Sequence, residues 1–318
     1  MGASAAAAAA MIEVSALAKR FGALQAVVDL SFAVQTGEIF GLVGPDGAGK
    51  TTTLRMLASV MQPDAGSIVI DGIDVLALPE QAKRHVSYMP QRFGLYEDLT
   101  VDENIRFYAD LFEMPRQVWR SRADAMLVAA DMTPFRQRLA GQLSGGMKQK
   151  LGLICSLVHT PRVLLLDEPT TGVDPLSRRE FWQILYSLRA EGVAMLISTA
   201  YLDEAERCDR LALLNAGRMM YCDTPAGLKA RMPGAMLAIA GADVRGLRDA
   251  LLTLPGVQGV LLMGASVHVH IDAPQRLAQI AAALADKGLD VSAIDPVEPT
   301  IEDLFVALLE QDSPKEKP

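Results

Sequence analysis

Ile39-Phe40-Gly41-Leu42-Val43-Gly44-Pro45-Asp46-Gly47-Ala48-Gly49-Lys50-Thr51-Thr52 is the stretch that decides the fold of this chain of 318 residues. Its first five residues carry no charge and read as a strand buried on both faces, the kind found in the middle of a parallel sheet. The next eight satisfy G-x-x-x-x-G-K-[ST], and a helical run is expected from Thr52. Between a strand and a helix, the glycines of Gly44-Pro45-Asp46-Gly47-Ala48-Gly49 let backbone N–H groups converge on phosphate oxygens, and the helix N-terminus adds a favourable dipole. Lys50 is expected to reach the β- and γ-phosphates of a nucleotide, and the Thr51 hydroxyl to ligate Mg²⁺.

Outward from that loop, Val163 to Leu166 is a second aliphatic strand, and it ends in Asp167-Glu168. An acid pair there would help hold Mg²⁺ through water (Asp167) and polarise the attacking water (Glu168). A third strand, Ala194 to Ser198, follows a helical stretch from Arg178 to Ala190. Short strands alternating with helices over the first ~230 residues indicate a layered α/β domain. Between Gln91 and Leu143 the pattern turns helical, most clearly over Asn104–Phe112 and Gln117–Ala130, which predicts a helical subdomain inserted at about residues 91–148.

Leu143-Ser144-Gly145-Gly146-Met147-Lys148-Gln149 adds what a generic nucleotide fold does not need. A serine and two glycines opening a helix form an anion site, and no phosphate within the chain is left for it. That points to the γ-phosphate of ATP bound on a second subunit. With these motifs in the order Gly44–Thr51, Gln91, Ser144–Gln149, Asp167–Glu168 and Asp174, the chain resembles the ATP-binding subunit of an ABC transporter over about residues 11–230.

The resemblance implies further roles. Phe21, in Lys19-Arg20-Phe21-Gly22, matches the aromatic that stacks on adenine, beside an ATP-binding set running from Gly44 to Thr52. Gln91 matches the glutamine that meets Mg²⁺ and the attacking water, so Thr51, Gln91 and Asp167 are the expected metal residues. Residues Arg92 to Thr100 are expected near a cytoplasmic helix of a permease. Ser144, Gly145, Gly146 and Gln149 would contact ATP of the other subunit, and Asp174 would communicate across the dimer. One position departs: Ala200, in Ser198-Thr199-Ala200-Tyr201-Leu202-Asp203, stands where the family has a switch histidine. A missing donor in a preorganised site costs roughly 10²–10³ in rate. The departure predicts a chain that binds ATP but hydrolyses it slowly at its own loop, similar to the first of two unequal ATP-binding halves of some bacterial export systems. The alternative is a compensated site in a homodimer.

Met232-Pro233-Gly234 is a breaker cluster marking a domain boundary. Beyond it the pattern reads strand 235–240, helix 244–254, strands 257–263 and 266–271, helix 274–287, strand 290–295 and helix 300–309. That βαββαβ order predicts a small ferredoxin-like α+β domain over residues 233–311. Its ending, Glu298-Pro299-Thr300-Ile301-Glu302-Asp303-Leu304-Phe305, resembles more loosely the C-terminal module of drug-exporter ATPases. An alanine-rich N-terminus (residues 1–10) and a charged tail (312–318) are expected to be loose.

Composition sets the outer limits. Half of the residues are hydrophobic and 21% are charged, which excludes wholesale disorder. The net charge of −8 does not support a chain-wide cationic surface, so no nucleic-acid partner is expected. Cys155, Cys208 and Cys222 are too few and too scattered for a disulfide framework or a metal cage. The uncharged run from Ala250 to Ile271 is broken by Pro255 and several glycines and alternates like a strand, so no membrane span is read there. The chain is expected to be soluble by itself, cytoplasmic and peripheral on the inner face of a bacterial membrane. The partners implied by the resemblance are permease subunits and a second ABC ATPase, with room for a periplasmic adaptor. A second class is a soluble translation, chromosome or repair ATPase, whose linkers, coiled coils and zinc modules are missing here, and a third is a soluble ATP-gated regulator that transports nothing.

Overall fold

The computed structural model describes residues 10–312. The alanine run to residue 9 and the tail from residue 313 lie outside the described residues, while Ala10 opens the first strand and Asp312 closes the last helix. The described residues divide into two compact units, one running to Tyr201 and including Cys208–Tyr221, the other made of Leu202–Arg207 and the chain from Cys222 onward.

The first unit holds two sheets. β1 (Ala10–Phe21) and β2 (Leu24–Gln35) form a long antiparallel hairpin whose tip pairs Phe21 with Leu24, with Gly22 in the left-handed region between them. The second sheet begins with β3 (Ile39–Val43), every residue of which is buried. β4 (Ala65–Ile70) and β5 (Ile73–Asp74) complete the first sheet in the order β2-β1-β4-β5. Around β3 the second sheet gathers β6 (Val86–Met89), β7 (Val163–Asp167), β8 (Ala194–Thr199), β9 (Arg210–Asn215) and β10 (Arg218–Asp223) in the order β10-β9-β3-β8-β7-β6. β3 pairs in parallel with both β8 and β9, and β7 with both β6 and β8. Strands ending side by side place their carboxyl termini at one edge, where ligands of open α/β sheets bind.

Helices cover that sheet. α1 (Lys50–Leu57) starts at the glycine loop, α2 (Pro79–Lys83) follows β5, and α3 (Val101–Leu111) and α4 (Arg116–Ala129) form the helical insertion. α3 starts at Thr100 through a capping box with Glu103, which is why it begins three residues before the expected Asn104. α5 (Gly145–Leu157) and α6 (Pro175–Ala190) run back to the sheet. From Leu151 onward α5 is apolar nearly all round: Leu151, Ile154 and Cys155 join the core of the insertion, while Leu153 and Leu157 join the core under the sheet with Trp182 and Leu166.

The second unit contains α7 (Leu202–Ala205), α8 (Pro225–Lys229), β11 (Ala235–Gly241), α9 (Val244–Leu251), β12 (Val257–Met263), β13 (Ser266–Ile271), α10 (Arg276–Asp286), β14 (Val291–Val297) and α11 (Ile301–Asp312). Its antiparallel sheet has the order β12-β13-β11-β14, the ferredoxin-like arrangement. Leu237, Ile239, Val267 and Val269 from the strands and Leu247, Leu251, Ile280 and Leu284 from the helices make its core. The helix expected to run to Leu254 stops at Leu251, where the chain turns ahead of Pro255-Gly256. The unit starts upstream of the Met232-Pro233-Gly234 breaker, since α7 and α8 pack against α11; the Ile301 N–H donates to Glu206 Oε1 at 3.3 Å, and Lys229 pairs with the same carboxylate. Among the described residues no helix is long and apolar enough to cross a membrane.

Candidate nucleotide site

The glycine loop leaves β3 at the carboxyl edge of the sheet and enters α1 through Gly49. Gly49 holds a φ of 97°, and a Cβ there would lie 2.4 Å from the Ala26 carbonyl oxygen, so only glycine fits. Lys50, almost fully buried, donates to the carbonyls of Gly44 (2.8 Å) and Pro45 (3.1 Å) and lies 3.4 Å from Glu168 Oε1. The loop, Phe21, Leu24, Ala26, Asp46, Thr52, Gln91 and Glu168 line one cleft of about 400 Å³. Phe21, 46% exposed at its hairpin tip, offers that cleft a flat apolar face.

Parallel pairing of β7 with β8 sets Asp167 beside Ser198. Three hydroxyls converge on the Asp167 carboxylate: Ser198 Oγ donates to Oδ1 at 2.7 Å, Thr51 Oγ1 donates to Oδ1 at 2.9 Å, and the Tyr88 phenol donates to Oδ2 at 3.2 Å. Asp167 is only 1% exposed, so these bonds offset the cost of burying its charge. Burial, reinforced by the Asp167 charge, pushes the Tyr88 phenol up to about 12, so it keeps its proton at neutral pH. Glu168 sits at φ 48°, an uncommon backbone for a residue with a Cβ. Its N–H is held by the carbonyl oxygen and hydroxyl of Ser198 (3.1 and 3.0 Å), and its Oε2 accepts from Gln91 Nε2 at 3.1 Å.

A second cluster lies outside the cleft lining. Ser144 caps α5, its hydroxyl accepting from the Met147 N–H at 3.3 Å, and Ser144 and Gly145 are exposed. Gly146 is buried against α6: a Cβ there would lie 2.5 Å from both Cβ and Oγ of Ser177. Asp174 caps α6 by accepting from the N–H groups of Leu176 and Ser177, and the Ser177 bonds hold its carboxyl below the usual range. Gln149 does not share the exposed face of Ser144 and Gly145; it is half-buried with its Oε1 turned inward.

Ala200 is exposed just past β8. Val43 pairs with Thr199, and the Gly44 N–H donates to the Thr199 carbonyl at 3.4 Å, so Ala200 stands level with the start of the loop. Its methyl group can neither donate nor accept. The chain's four histidines are engaged elsewhere: His85 with Asp71, His159 stacked on Phe112, His268 with Asp303, and His270 with the Pro233 carbonyl.

The structure thus brings Phe21, the loop, Gln91, Asp167 and Glu168 to one edge of the sheet and gathers Ser144–Gly146 and Asp174 separately. Leu24, Ala26, Tyr88 and Ser198 were not foreseen. Ser198 had a readable signal, as the first of two hydroxyl residues, with Thr199, that close the apolar run Ala194–Ile197. Thr51 and Asp167 present hard oxygen donors suited to Mg²⁺. No cluster of three or more His, Cys, Asp or Glu side chains suited to a metal occurs among the described residues.

The ABC transporter family profile matches residues 27–171. The probable multidrug ABC transporter ATP-binding protein YbhF of Escherichia coli (strain K12) is 43% identical over 304 residues, 94% of this chain but 52% of that protein, so the chain spans about half of its length. Nod factor export ATP-binding protein I of Burkholderia orbicola (strain AU 1054) is 43% identical over 235 residues, covering 73% of this chain and 77% of the relative. Daunorubicin resistance ATP-binding protein DrrA2 of Streptomyces coeruleorubidus is 33% identical over 303 residues, covering 93% and 94%. Among solved structures, an ATP-binding subunit of an ABC transporter superposes with a TM-score of 0.64 at 31% identity, covering 70% of this chain and 92% of that one. A dimeric bacterial ABC transporter cassette gives 0.62 at 25% identity, covering 67% and 98%.

Proposed function

Because the chain belongs to the family of ABC transporter ATP-binding proteins, we propose that it binds and hydrolyses ATP to drive export of a drug-like or amphipathic substrate through a separate membrane permease. The relatives' names, multidrug, Nod factor and daunorubicin, supply the export part of this reading. The observation that carries it is the convergence of Lys50, Gln91, Asp167 and Glu168 at the mouth of one glycine loop.

Each side chain then has a task. Phe21 stacks on the adenine, and Lys50 exchanges its loop carbonyls and Glu168 for phosphate oxygens. Thr51 and, through water, Asp167 would hold Mg²⁺, which would supply neutralising charge to the phosphates. Glu168, released by Lys50, orients the attacking water with Gln91. Ser144–Gly146 serve the nucleotide on a second ATPase subunit, and Asp174 lies at that contact. Residues Arg92 to Thr100 face the permease, which ties the chain to the inner face of the membrane.

We further propose that this chain is one half of an unequal pair, its own site weakened because Ala200 offers no hydrogen bond to the γ-phosphate. The deciding measurement is steady-state ATP turnover of the wild type beside Ala200→His, with Glu168→Gln as the inactive control. A rise of about tenfold or more on restoring histidine, or ~1.4 kcal/mol of barrier, supports the weakened site. A parent already turning over at ~1 s⁻¹ or faster, unmoved by the histidine, refutes it and leaves a compensated homodimer.

A further inference from the structure

The Asp167 carboxylate is tied at both oxygens, and two of the three hydroxyls that tie it belong to residues with no part in the reaction proposed above. Ser198 accepts the Glu168 N–H (3.0 Å), so its single proton goes to Asp167 Oδ1 (2.7 Å). On the other side, the Tyr88 phenol donates to Asp167 Oδ2 at 3.2 Å. The side chain reaches Asp167 from β6, the neighbouring strand, where Tyr88 pairs with Leu165 two residues before the acid.

From this geometry we infer that Tyr88 and Ser198 are positioning residues that set the plane of the carboxylate holding the cation. A carboxylate fixed by one donor can still swing about its Cβ–Cγ bond; one fixed at both oxygens cannot. Thr51 Oγ1, the expected direct ligand, shares Oδ1 with Ser198, so the orientation of that carboxylate also fixes the direction of the Thr51 lone pairs. Phenylalanine at position 88 would fill the same space and leave Oδ2 without this donor. Tyrosine at that position is thus a determinant of metal affinity rather than of nucleotide affinity.

The inference rests on the nucleotide-site reading, and the test separates the two. Mn²⁺ binding to the full chain is followed by electron paramagnetic resonance in the presence of ADP, and ADP binding is measured separately in EDTA. Tyr88→Phe is expected to weaken Mn²⁺ binding about fivefold or more, as for loss of a hydrogen bond to a charged group. Its EDTA-phase ADP affinity should stay at the wild-type value, while its melting temperature falls by a few degrees because a buried charge loses one donor. Ser198→Ala leaves Oδ1 to the Thr51 hydroxyl alone, the group that must also hold the cation, so it should shift Mn²⁺ binding in the same direction and stands in if Tyr88→Phe does not fold. Mn²⁺ affinities within twofold of wild type in both variants overturn the inference while leaving the nucleotide site intact. Equal losses of metal and metal-free ADP binding also overturn it, since they mark a merely structural role. A wild type that gains no Mn²⁺ site with ADP overturns the nucleotide-site reading and this inference with it.

Discussion

Gly146→Ala tests the coupling between the two clusters at the ends of α5 and α6. The added methyl would stand 2.5 Å from both Cβ and Oγ of Ser177 and 3.4 Å from Asp174 Oδ2. The Ser177 hydroxyl can rotate away, but its Cβ is fixed to the first turn of α6. Carbon–carbon contacts settle at ~3.5–4.0 Å, so the start of α5 must move from α6 by about 1 Å. A misplacement of that size costs ~10²-fold in a positioned site, or about 2.7 kcal/mol of barrier. Stability should change little, since overpacking (~1–3 kcal/mol) is partly offset by replacing a helical glycine (~1 kcal/mol). Gly146 does not line the nucleotide cleft, so fluorescent-ATP binding should be unchanged while steady-state turnover falls about a hundredfold. Ser177→Gly in the same chain removes the opposing Cβ and should recover most of the loss. Turnover of the single variant within about threefold of wild type, with a normal melting temperature, would refute the steric argument.

Two further outcomes follow from the geometry. Phe21→Ala should weaken ATP binding roughly 5- to 150-fold, the range for one lost base–aromatic stack, without lowering the melting temperature, because the ring is half-exposed; equilibrium nucleotide titration and thermal denaturation check both halves. Burial first, and also the neighbouring Arg122 charge, lowers the His159 pKa from 6.5 to about 4, so the folded state binds fewer protons than the unfolded state between those values. Stability should therefore fall as pH drops from about 6.5 towards 4, and His159→Phe, which keeps an aromatic ring against Phe112, should flatten that limb of the melting-temperature profile.

The parts of the fold that were legible are those where one physical demand dominates. Phosphate cradles need glycine at the end of a buried strand, so Gly44–Thr51 located β3 and α1 from the sequence alone. Strands buried on both faces lose all polarity, so β7 and β8 were readable from Val163–Leu166 and Ala194–Ser198. In the second unit, period-two alternation against amphipathic helices yielded the βαββαβ order that the sheet adopts. The long β1–β2 hairpin was not read, because its faces mix exposed and buried positions without clean alternation and its pairing shifts register four times. Tyr88 was illegible for a different reason. Its partner lies 79 residues away, and only the pairing of β6 with β7 brings phenol and carboxylate together. The resemblance groups Gln149 with Ser144, while a helix turns residues five apart by well over a full turn, which sets the Gln149 side chain on a different face.

α5 belongs to two cores at once, and this makes it a girder rather than a decoration on the sheet. Leu151, Ile154 and Cys155 are set in the insertion, and Leu153 and Leu157 in the layer beneath the sheet, so the helix cannot roll or slide without opening one of them. Its exposed tip is the part that would meet another subunit's nucleotide. A volume change at a wholly apolar position such as Leu151, far from any phosphate, is therefore transmitted rigidly to that tip. Its kinetic signature would emerge in the turnover of the neighbouring molecule, so in a mixed pair the damaged chain and the impaired site would be different proteins.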